Sequence, residues 1–129
     1  MFMPVRLSEA QQEIMQEIWA AGRPITCEEL RQRLAGEREW KTTTVLTFLS
    51  RLVEKGMLTV TKRGRTNLYA ARMTQEEYRG EEGAHFLRQV YGGSVKQMVA
   101  SLCESGQIAP GELEELRSWL ETQRKDDLK

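Results

Sequence analysis

Hydrophobic residues in the first third of the chain recur at intervals of three and four. That spacing places them on one face of an α-helix. Ser8 and Thr26 are each followed three residues later by Gln or Glu, as at the start of a capped helix. The pattern predicts a first helix between Ser8 and Gly22, a second between Thr26 and Gly36, and a third from Thr42 to Lys55.

The period changes from 3.6 to 2 after Gly56. Residues 58–62 and 66–70 alternate between apolar and polar side chains around Arg63-Gly64-Arg65, which predicts a β-hairpin with a basic turn. Residues 23–25 include a proline and are expected to form a short extended connector between the first two helices. Helix, extended segment, helix, helix and hairpin, in that order, predict a winged helix-turn-helix.

From Thr74 onward the chain returns to a helical period. Thr74 and Ser94 each begin a capping-box pattern, and Pro110 stands near the start of a last helix. The predicted fold class is mainly α with a small β-hairpin. A winged helix-turn-helix over residues 1–73 is followed by a three-helix domain over residues 74–129.

The apolar stripes of the three C-terminal helices need a partner surface, because so few residues leave little chance of a closed core within one chain. A second copy of the chain is the simplest source of that surface. We therefore expect a homodimer held by residues 74–129. The residues expected at its interface are Leu87, Val90, Tyr91, Met98, Val99, Leu102, Leu116 and Leu120.

Charge is unevenly distributed along a chain whose net charge is zero. Residues 41–72 carry seven Lys or Arg residues against the single acidic residue Glu54. A basic segment in a neutral protein indicates a local site for a polyanion. Because this segment contains both the third helix and the hairpin, these two elements are the candidates for contacting nucleic acid.

The third helix carries short hydroxyl side chains on the face opposite its core residues. In a helix-turn-helix this helix lies in the major groove of DNA, where a threonine hydroxyl can bond to bases and a methyl or leucine can contact thymine. Its first-turn N–H groups can bind a phosphate. The expected DNA-binding residues are Lys41, Thr42, Thr43, Thr44, Leu46, Thr47, Ser50 and Arg51 in the helix and Lys62, Arg63 and Arg65 in the hairpin.

A simpler interpretation is that the hydroxyl groups of Thr43, Thr47 and Ser50 are merely solvated. The basic hairpin that follows favours DNA binding, since contacts between cations and phosphates supply much of the affinity for DNA. We therefore expect the partner to be double-stranded DNA.

Other chemistries have little support in the sequence. Cys27 and Cys103 lie far apart and His85 is the single histidine, which excludes the usual zinc patterns and a disulfide framework. No acid–base pair accompanies a Ser, Cys or His nucleophile, so we expect neither an enzyme nor a cofactor. No apolar run approaches the ~18 residues of a membrane span, and the N-terminal segment lacks the pattern of a secretory signal. The expected location is the cytoplasm.

The sequence resembles the penicillinase repressor family, which includes the BlaI and MecI repressors and the copper-responsive, CopY-type repressors. The resemblance runs from about residue 7 to residue 120. The segments that carry it are L-S-E-A-Q-Q-E-I-M-Q-E-I-W, W-K-T-T-T-V-L-T-F-L-S-R-L-V-E-K-G, G-R-T-N-L-Y and E-E-Y…F-L…Y-G-G-S. It implies a homodimeric transcriptional repressor of operator dyads, controlled by a membrane-bound sensor metalloprotease, usually of β-lactams, that leads to cleavage of the repressor.

The sequence departs from the family pattern at three places. It lacks the paired cysteine motifs of the copper-responsive members. Where the β-lactam-responsive repressors are cut at an Asn–Phe bond, it has Ser101 and Leu102, which are the candidate cleavage site. The recognition helix begins Lys-Thr-Thr-Thr instead of Lys-Pro-Lys-Thr and carries Leu46 where relatives often have a polar residue, which implies a different operator.

Two alternatives stay open from the sequence. One is a ligand-responsive winged-helix regulator of the multiple-antibiotic-resistance type, in which helices from both chain ends surround the wing domain. The other is a winged helix used only as a protein-interaction module, whose hairpin would not need three cations. The operator, the regulated genes and the inducer are not encoded in any motif of this chain.

Overall fold

The computed structural model describes residues 6–127, with side chains described as far as Lys125. The described residues form six α-helices and one antiparallel hairpin of two strands. This confirms the predicted fold class. In chain order the elements are α1 (Glu9–Ala21), α2 (Cys27–Leu34), α3 (Thr42–Glu54), β1 (Leu58–Arg63), β2 (Thr66–Ala71), α4 (Gln75–Tyr91), α5 (Val95–Glu104) and α6 (Pro110–Asp127).

Local hydrogen bonds fix both ends of α1. The Ser8 hydroxyl accepts a bond from the Gln11 N–H at 3.2 Å, and the Gln11 side chain accepts one from the Ser8 N–H at 3.0 Å. This is the reciprocal capping box that the sequence predicts. Gly22 ends the helix with a left-handed φ of 66°, a conformation that glycine adopts without strain.

The boundaries of α2 differ in detail from the prediction. The Thr26 hydroxyl caps the Glu29 N–H at 3.0 Å, but the Glu29 carboxylate pairs with Arg23 instead of returning to the Thr26 backbone. A guanidinium offers a charged partner, which is stronger than a neutral N–H. The helix ends at Leu34 through an Ala35 cap in the right-handed region, so it closes one residue before Gly36, which the sequence predicted as its end.

The hydrophobic core lies among the first three helices and the hairpin. Every buried apolar residue among the described ones falls between Leu7 and Tyr69, and α4 and α5 contain none. The core consists of Leu7, Ile14, Met15, Ile18, Ile25, Leu30, Leu34, Val45, Leu49, Leu52, Met57, Leu58 and Tyr69. It therefore holds α3 by one face only.

The hairpin is a short wing tied back to the core. Arg63 pairs with Thr66 across a turn of two residues, and Gly64 in the first turn position has a φ of 64°, as in a type II′ turn. Ile25 and Tyr69 exchange backbone hydrogen bonds of 3.0 and 2.8 Å. The predicted extended connector thus adds a one-residue strand to the wing.

Two compact units divide the chain, Met1–Gly83 and Ala84–Lys129, and the division falls within α4. The first unit includes the start of α4 because Tyr78 stacks at 5.5 Å on Trp19, whose indole N–H donates to the Met73 carbonyl at 3.0 Å. The functional division at residue 73, between DNA binding and dimerisation, stays a prediction.

Candidate nucleic-acid interface

The core side of α3 is buried and its opposite side is exposed. Val45, Leu49 and Leu52 have no exposed surface, and Phe48 and Val53 are half-buried at the edges of the core. The exposed side carries Thr43, Leu46, Thr47, Ser50 and Arg51, with Thr44 half-buried beside them. We call this surface the α3 face.

The side chains of the α3 face are short, apart from Leu46 and Arg51. The Thr47 hydroxyl donates to the Thr43 carbonyl at 3.0 Å, one helical turn earlier. Its hydrogen is therefore committed to the backbone. What Thr47 can offer a partner is its methyl group and the lone pairs of its oxygen.

The N-terminus of α3 lacks a side-chain cap. Lys41 is the N-cap residue, with extended backbone angles and no capping hydrogen bond. By contrast, hydroxyl side chains cap α1, α2, α4 and α5. Because the first N–H groups of a helix carry partial positive charge, the start of α3 combines backbone donors with the exposed ammonium group of Lys41.

Ion pairing divides the basic residues of the first unit into two groups. Arg23, Arg31, Arg33 and Arg38, on the α1–α2 side, are each paired with a glutamate. Within the part of the chain that the structure describes, the predicted DNA-binding cations form no ion pair and are all exposed. These exposed cations are Lys41, Arg51, Lys62, Arg63 and Arg65. Their charge is thus available to an external anion.

The fold brings the wing next to the start of α3. Thr42 and Leu46 line one hollow of about 260 Å³ together with Thr66 and Asn67 of β2. Arg63 and Arg65 flank Gly64 at the exposed end of the hairpin. The two predicted DNA-binding segments therefore belong to one continuous side of the first unit.

A clamp around Arg38 holds the segment that leads into α3. The Arg38 guanidinium donates to both carboxylate oxygens of Glu13 at 2.8 and 2.9 Å and lies 5.2 Å from the ring centre of Trp40. Trp40 in turn packs at 5.1 Å on Phe48 of α3. Hydrogen bonding by Arg38 holds the pKa of Glu13 below its usual value. The clamp thus ties α1 to α3.

Comparison with known proteins places this arrangement in a family. The penicillinase repressor family model matches residues 7–122. The penicillinase repressor of Bacillus licheniformis is 31% identical over 116 residues, which cover 90% of each chain. The chain belongs to the penicillinase repressor family. This family consists of transcriptional repressors and is not a class of enzymes.

Two solved structures resemble the first unit of this penicillinase repressor family member. The solution structure of the DNA-binding domain of the repressor BlaI has a TM-score of 0.52 and 31% sequence identity, covering 60% of this chain and 94% of that one. The monomeric form of B. licheniformis BlaI in complex with the blaP half-operator has a TM-score of 0.51 at the same identity and coverage. These likenesses confirm the winged-helix fold.

A further pair of cations lies beside the α3 face of this family member, and sequence reasoning missed it. Arg6, Arg51 and Lys55 line a hollow of about 680 Å³ at the end of α3. The Lys55 ammonium donates at 2.9 Å to the Arg6 carbonyl and to the Gln11 side chain. No sequence signal joins Arg6 to α3, because the tertiary fold alone brings these segments together.

The second unit of this family member exposes its apolar side chains. None of the predicted interface residues is buried in the single chain; Val90, Leu116 and Leu120 are exposed and the others half-buried. The structure adds four exposed apolar residues to that surface: Phe86, Val95, Leu113 and Trp119. Phe86 and Trp119 are 51% and 57% exposed, more than the interior of a monomer would leave. We call this set the α4–α6 apolar surface.

The candidate cleavage site lies inside α5. Ser101 is exposed and Leu102 half-buried, and the Ser101 carbonyl accepts a helical bond from the Ser105 N–H at 3.0 Å. Glycines with left-handed φ values bracket the helix: Gly93 before it and Gly106 after it. The bond therefore lies within a helix that has a glycine just beyond either end.

Residues 6–127 give little support to metal binding, thiol catalysis or membrane insertion. They hold no group of three metal-ligating side chains. Burial raises the pKa of the Cys27 thiol, which keeps it protonated and a poor nucleophile. No described helix is both long and apolar enough to cross a membrane.

Proposed function

We propose that the chain acts as a homodimer that represses transcription by binding an operator dyad. In this proposal each protomer inserts α3 into the major groove of one half-site and lays its wing on the adjacent backbone. The observation that carries the proposal is the division of cations. The arginines on the α1–α2 side are neutralised by glutamates, whereas Lys41, Arg51 and the wing cations are exposed and unpaired in the described chain.

The contacts fall into two classes. Lys41, the N–H groups at the start of α3, and the wing residues Lys62, Arg63 and Arg65 are assigned to phosphates, which supply affinity and register. Thr43, Leu46, Thr47 and Ser50 are assigned to base edges, because short side chains let the helix approach closely. Arg51 is assigned to a phosphate at the edge of the α3 face, and Thr42 and Thr44 border the base-reading residues. The half-operator complex of BlaI supports, by analogy, DNA binding by this domain.

The second copy is proposed to cover the α4–α6 apolar surface. Burying side chains such as Phe86, Val90 and Trp119, which are half or more exposed in one chain, contributes about 25 cal/mol for each Å² removed from water. Dimerisation also links two half-site contacts into one binding event, which raises the affinity for a dyad.

A salt titration of DNA binding tests the proposed interface. The probe is a duplex selected from a random pool by the full-length protein, followed by fluorescence anisotropy. Arg51→Ala, Arg65→Ala and Thr47→Ala should weaken binding without lowering the melting temperature. Each lost phosphate contact should reduce the slope of log affinity against log salt by about 1, and Thr47→Ala should leave that slope unchanged.

Arg23→Ala is the matched control, since Arg23 is equally a surface arginine but is paired with Glu29, which also pairs with Arg33. It should leave affinity and salt slope as they are. Unchanged binding in all three test variants, or an equal loss in the control, would contradict the assignment of the α3 face and wing.

We further propose that a membrane-bound sensor metalloprotease relieves repression through cleavage in α5, near Ser101 and Leu102. The family resemblance motivates this step. A peptide bond within a helix is a poor substrate, so α5 must open locally, and the bracketing glycines Gly93 and Gly106 favour such opening. Cutting α5 there would separate Leu102, Leu116 and Leu120 from the rest of the proposed interface and break the helix that carries Met98 and Val99, which would weaken the dimer without touching α3.

Co-expression tests the cleavage. The repressor is produced together with a membrane-bound sensor metalloprotease of the kind that the family resemblance implies, a β-lactam is added as inducer, and the intact mass of the repressor is measured. We expect a fragment that ends within α5 and loss of the dimer. Release from DNA with an uncut chain would rule this step out while leaving operator binding unaffected.

A further inference from the structure

The α3 face contains one large apolar side chain where a purely solvated surface would be polar. Leu46 is 38% exposed, whereas Val45 and Leu49 on the same helix are fully buried. Its neighbours on the α3 face are the hydroxyl residues Thr43, Thr47 and Ser50. A single exposed leucine needs no explanation by itself, but its position in the proposed reading surface limits what that surface can recognise.

The rest of α3 lacks the side chains that read purines directly. Arg or Lys binds guanine and Asn or Gln binds adenine through paired hydrogen bonds. Residues 42–50 contain none of these four types, and Arg51 enters only in the last turn before Glu54. Paired hydrogen bonding to purines is therefore absent from the first two turns of α3, the part that meets base edges in a helix-turn-helix.

The hydrogen bonding of Thr47 further limits which features of a base the α3 face can recognise. The Thr47 hydroxyl donates to the Thr43 carbonyl at 3.0 Å, so in this conformation its hydrogen bonds to the helix backbone and not to a base. Apart from the lone pairs of the Thr47 oxygen, which accept a hydrogen bond, Thr47 and Leu46 offer a partner only methyl groups and other apolar surface. In the major groove the apolar feature of the base pairs is the 5-methyl group of thymine.

We propose that Leu46 and the methyl group of Thr47 select operator half-sites by contacting thymine 5-methyl groups. This inference rests on the proposed function and adds the chemical group that is read. Recognition at these positions is apolar: it favours A·T pairs with thymine on the contacted strand, and loses affinity wherever the methyl is absent. The cations of the wing add affinity that is independent of sequence.

A competing interpretation is that Leu46 packs against the wing. It shares a hollow of about 260 Å³ with Thr66 and Asn67, so truncating it could loosen the hairpin. In that case Leu46→Ala would lower the melting temperature and weaken binding to all DNA alike. It would not change the response to a missing thymine methyl.

The test removes apolar groups from both sides of the contact: the 5-methyl of thymine on the DNA, and the isopropyl group of Leu46 or the methyl group of Thr47 on the protein. Duplexes selected from a random pool by the full-length protein are remade with single thymines replaced by 2′-deoxyuridine, which deletes only the 5-methyl. For the unaltered protein, replacement at the contacted positions should weaken binding about fourfold per methyl, which corresponds to about 0.8 kcal/mol. Leu46→Ala should abolish the difference between thymine and uracil at one position. Thr47→Ser, which keeps the hydroxyl, should abolish it at another.

Val60→Ala is the matched control: Val60 is 42% exposed, lies on β1 and is outside the α3 face. It should retain the full difference between thymine and uracil. Two results overturn this inference and leave the proposed function standing. One is sequence-specific binding that uracil does not weaken at any position; the other is a loss on uracil replacement that is as large in Leu46→Ala and Thr47→Ser as in the unaltered protein. Failure of the pool to yield any specific duplex overturns both.

Discussion

Individual arginines in this repressor have different tasks according to their partners. Arg23 and Arg38 each bind both oxygens of a glutamate carboxylate, whereas Arg51 and Arg65 are exposed and unpaired within the described residues. The residue type is the same, so composition cannot separate the two groups. Only the identity of the neighbouring side chain decides whether an arginine stabilises the fold or offers its charge to an anion.

At this scale we predict that Arg38→Ala weakens DNA binding from a distance. Loss of the Arg38 side chain frees Glu13 of α1 and removes the cation over Trp40, so the segment entering α3 loses its support. We expect a lower melting temperature and weaker binding with an unchanged salt slope, since Arg38 contacts no phosphate in this proposal. Arg23→Ala, which leaves Glu29 paired with Arg33, should have little effect on either. An altered salt slope in Arg38→Ala would contradict the assignment.

The same pair predicts a dependence of stability on pH. The pKa of Glu13 is lowered in the folded protein from its usual value of 4.5. A lowered carboxyl pKa adds stability that is fully present above 4.5 and is lost as the pH falls through the folded value. The free energy of unfolding of Glu13→Gln should therefore fall less on acidification than that of the unaltered protein, as measured by urea unfolding between neutral and acidic pH. A decrease identical to that of the unaltered protein would exclude a role for this pair.

Among the elements, α3 and the wing differ from the others in how they end. Hydroxyl side chains cap the N-termini of α1, α2, α4 and α5, but α3 begins at Lys41 without a side-chain cap. The wing turns at a glycine with a left-handed φ. Both features keep polar backbone and charge at one side of the first unit. The wing depends on its turn, because Arg63 and Arg65 are presented only if Gly64 reverses the chain within two residues.

We predict that Gly64→Ala destabilises the wing. A Cβ at a φ of 64° is strained by about 1–2 kcal/mol, although nothing lies within 4 Å to clash with it. DNA affinity should fall together with the free energy of unfolding. Gly36→Ala is the control: Gly36 has no positive φ and equally open surroundings, so alanine there should leave stability unchanged or raise it by about 0.4–1 kcal/mol. Equal effects of the two substitutions would show that the turn geometry is unimportant.

For the whole molecule, the distribution of burial separates two kinds of unit. The first unit contains the buried apolar core of the described chain, while α4 and α5 bury no residue and α6 is exposed along its described length. A region with an exposed apolar surface and no core of its own is incomplete as a monomer. This is the physical argument for assigning dimerisation to the second unit.

We predict that a fragment of residues 1–83 folds as a monomer and binds a dyad far more weakly than the full chain. It retains the Trp19–Tyr78 contact at 5.5 Å, which a fragment of residues 1–73 lacks. Since an aromatic pair adds about 0.5–1.5 kcal/mol, the longer fragment should be the more stable of the two. Sedimentation and anisotropy measure both properties. A fragment 1–83 that is dimeric with full dyad affinity would show that the division of labour is wrong.

The sequence by itself determined the elements and their order. Helical periods, capping residues such as Ser8 and Thr74, and the alternation around Arg63-Gly64-Arg65 are local signals, and local hydrogen bonds satisfy them in the structure. The core face of α3 was equally readable, because a helix repeats its contacts every three to four residues. The family resemblance was readable for the same reason, since it rests on contiguous segments.

Only the tertiary structure decided the contacts between distant residues. The pairing of Arg38 with Glu13, the Lys55 bonds to Arg6 and Gln11, and the packing of Tyr78 on Trp19 join residues that no period relates. The capping-box rule also failed where another partner competed: the Glu29 carboxylate pairs with Arg23 instead of accepting a bond from the Thr26 N–H. Side-chain pairing depends on which elements the core brings together. The sequence had selected Lys41, Arg51 and the wing cations as candidates for DNA contact, but only the folded chain shows that they form no ion pair among the described residues, whereas Arg23 and Arg38 do.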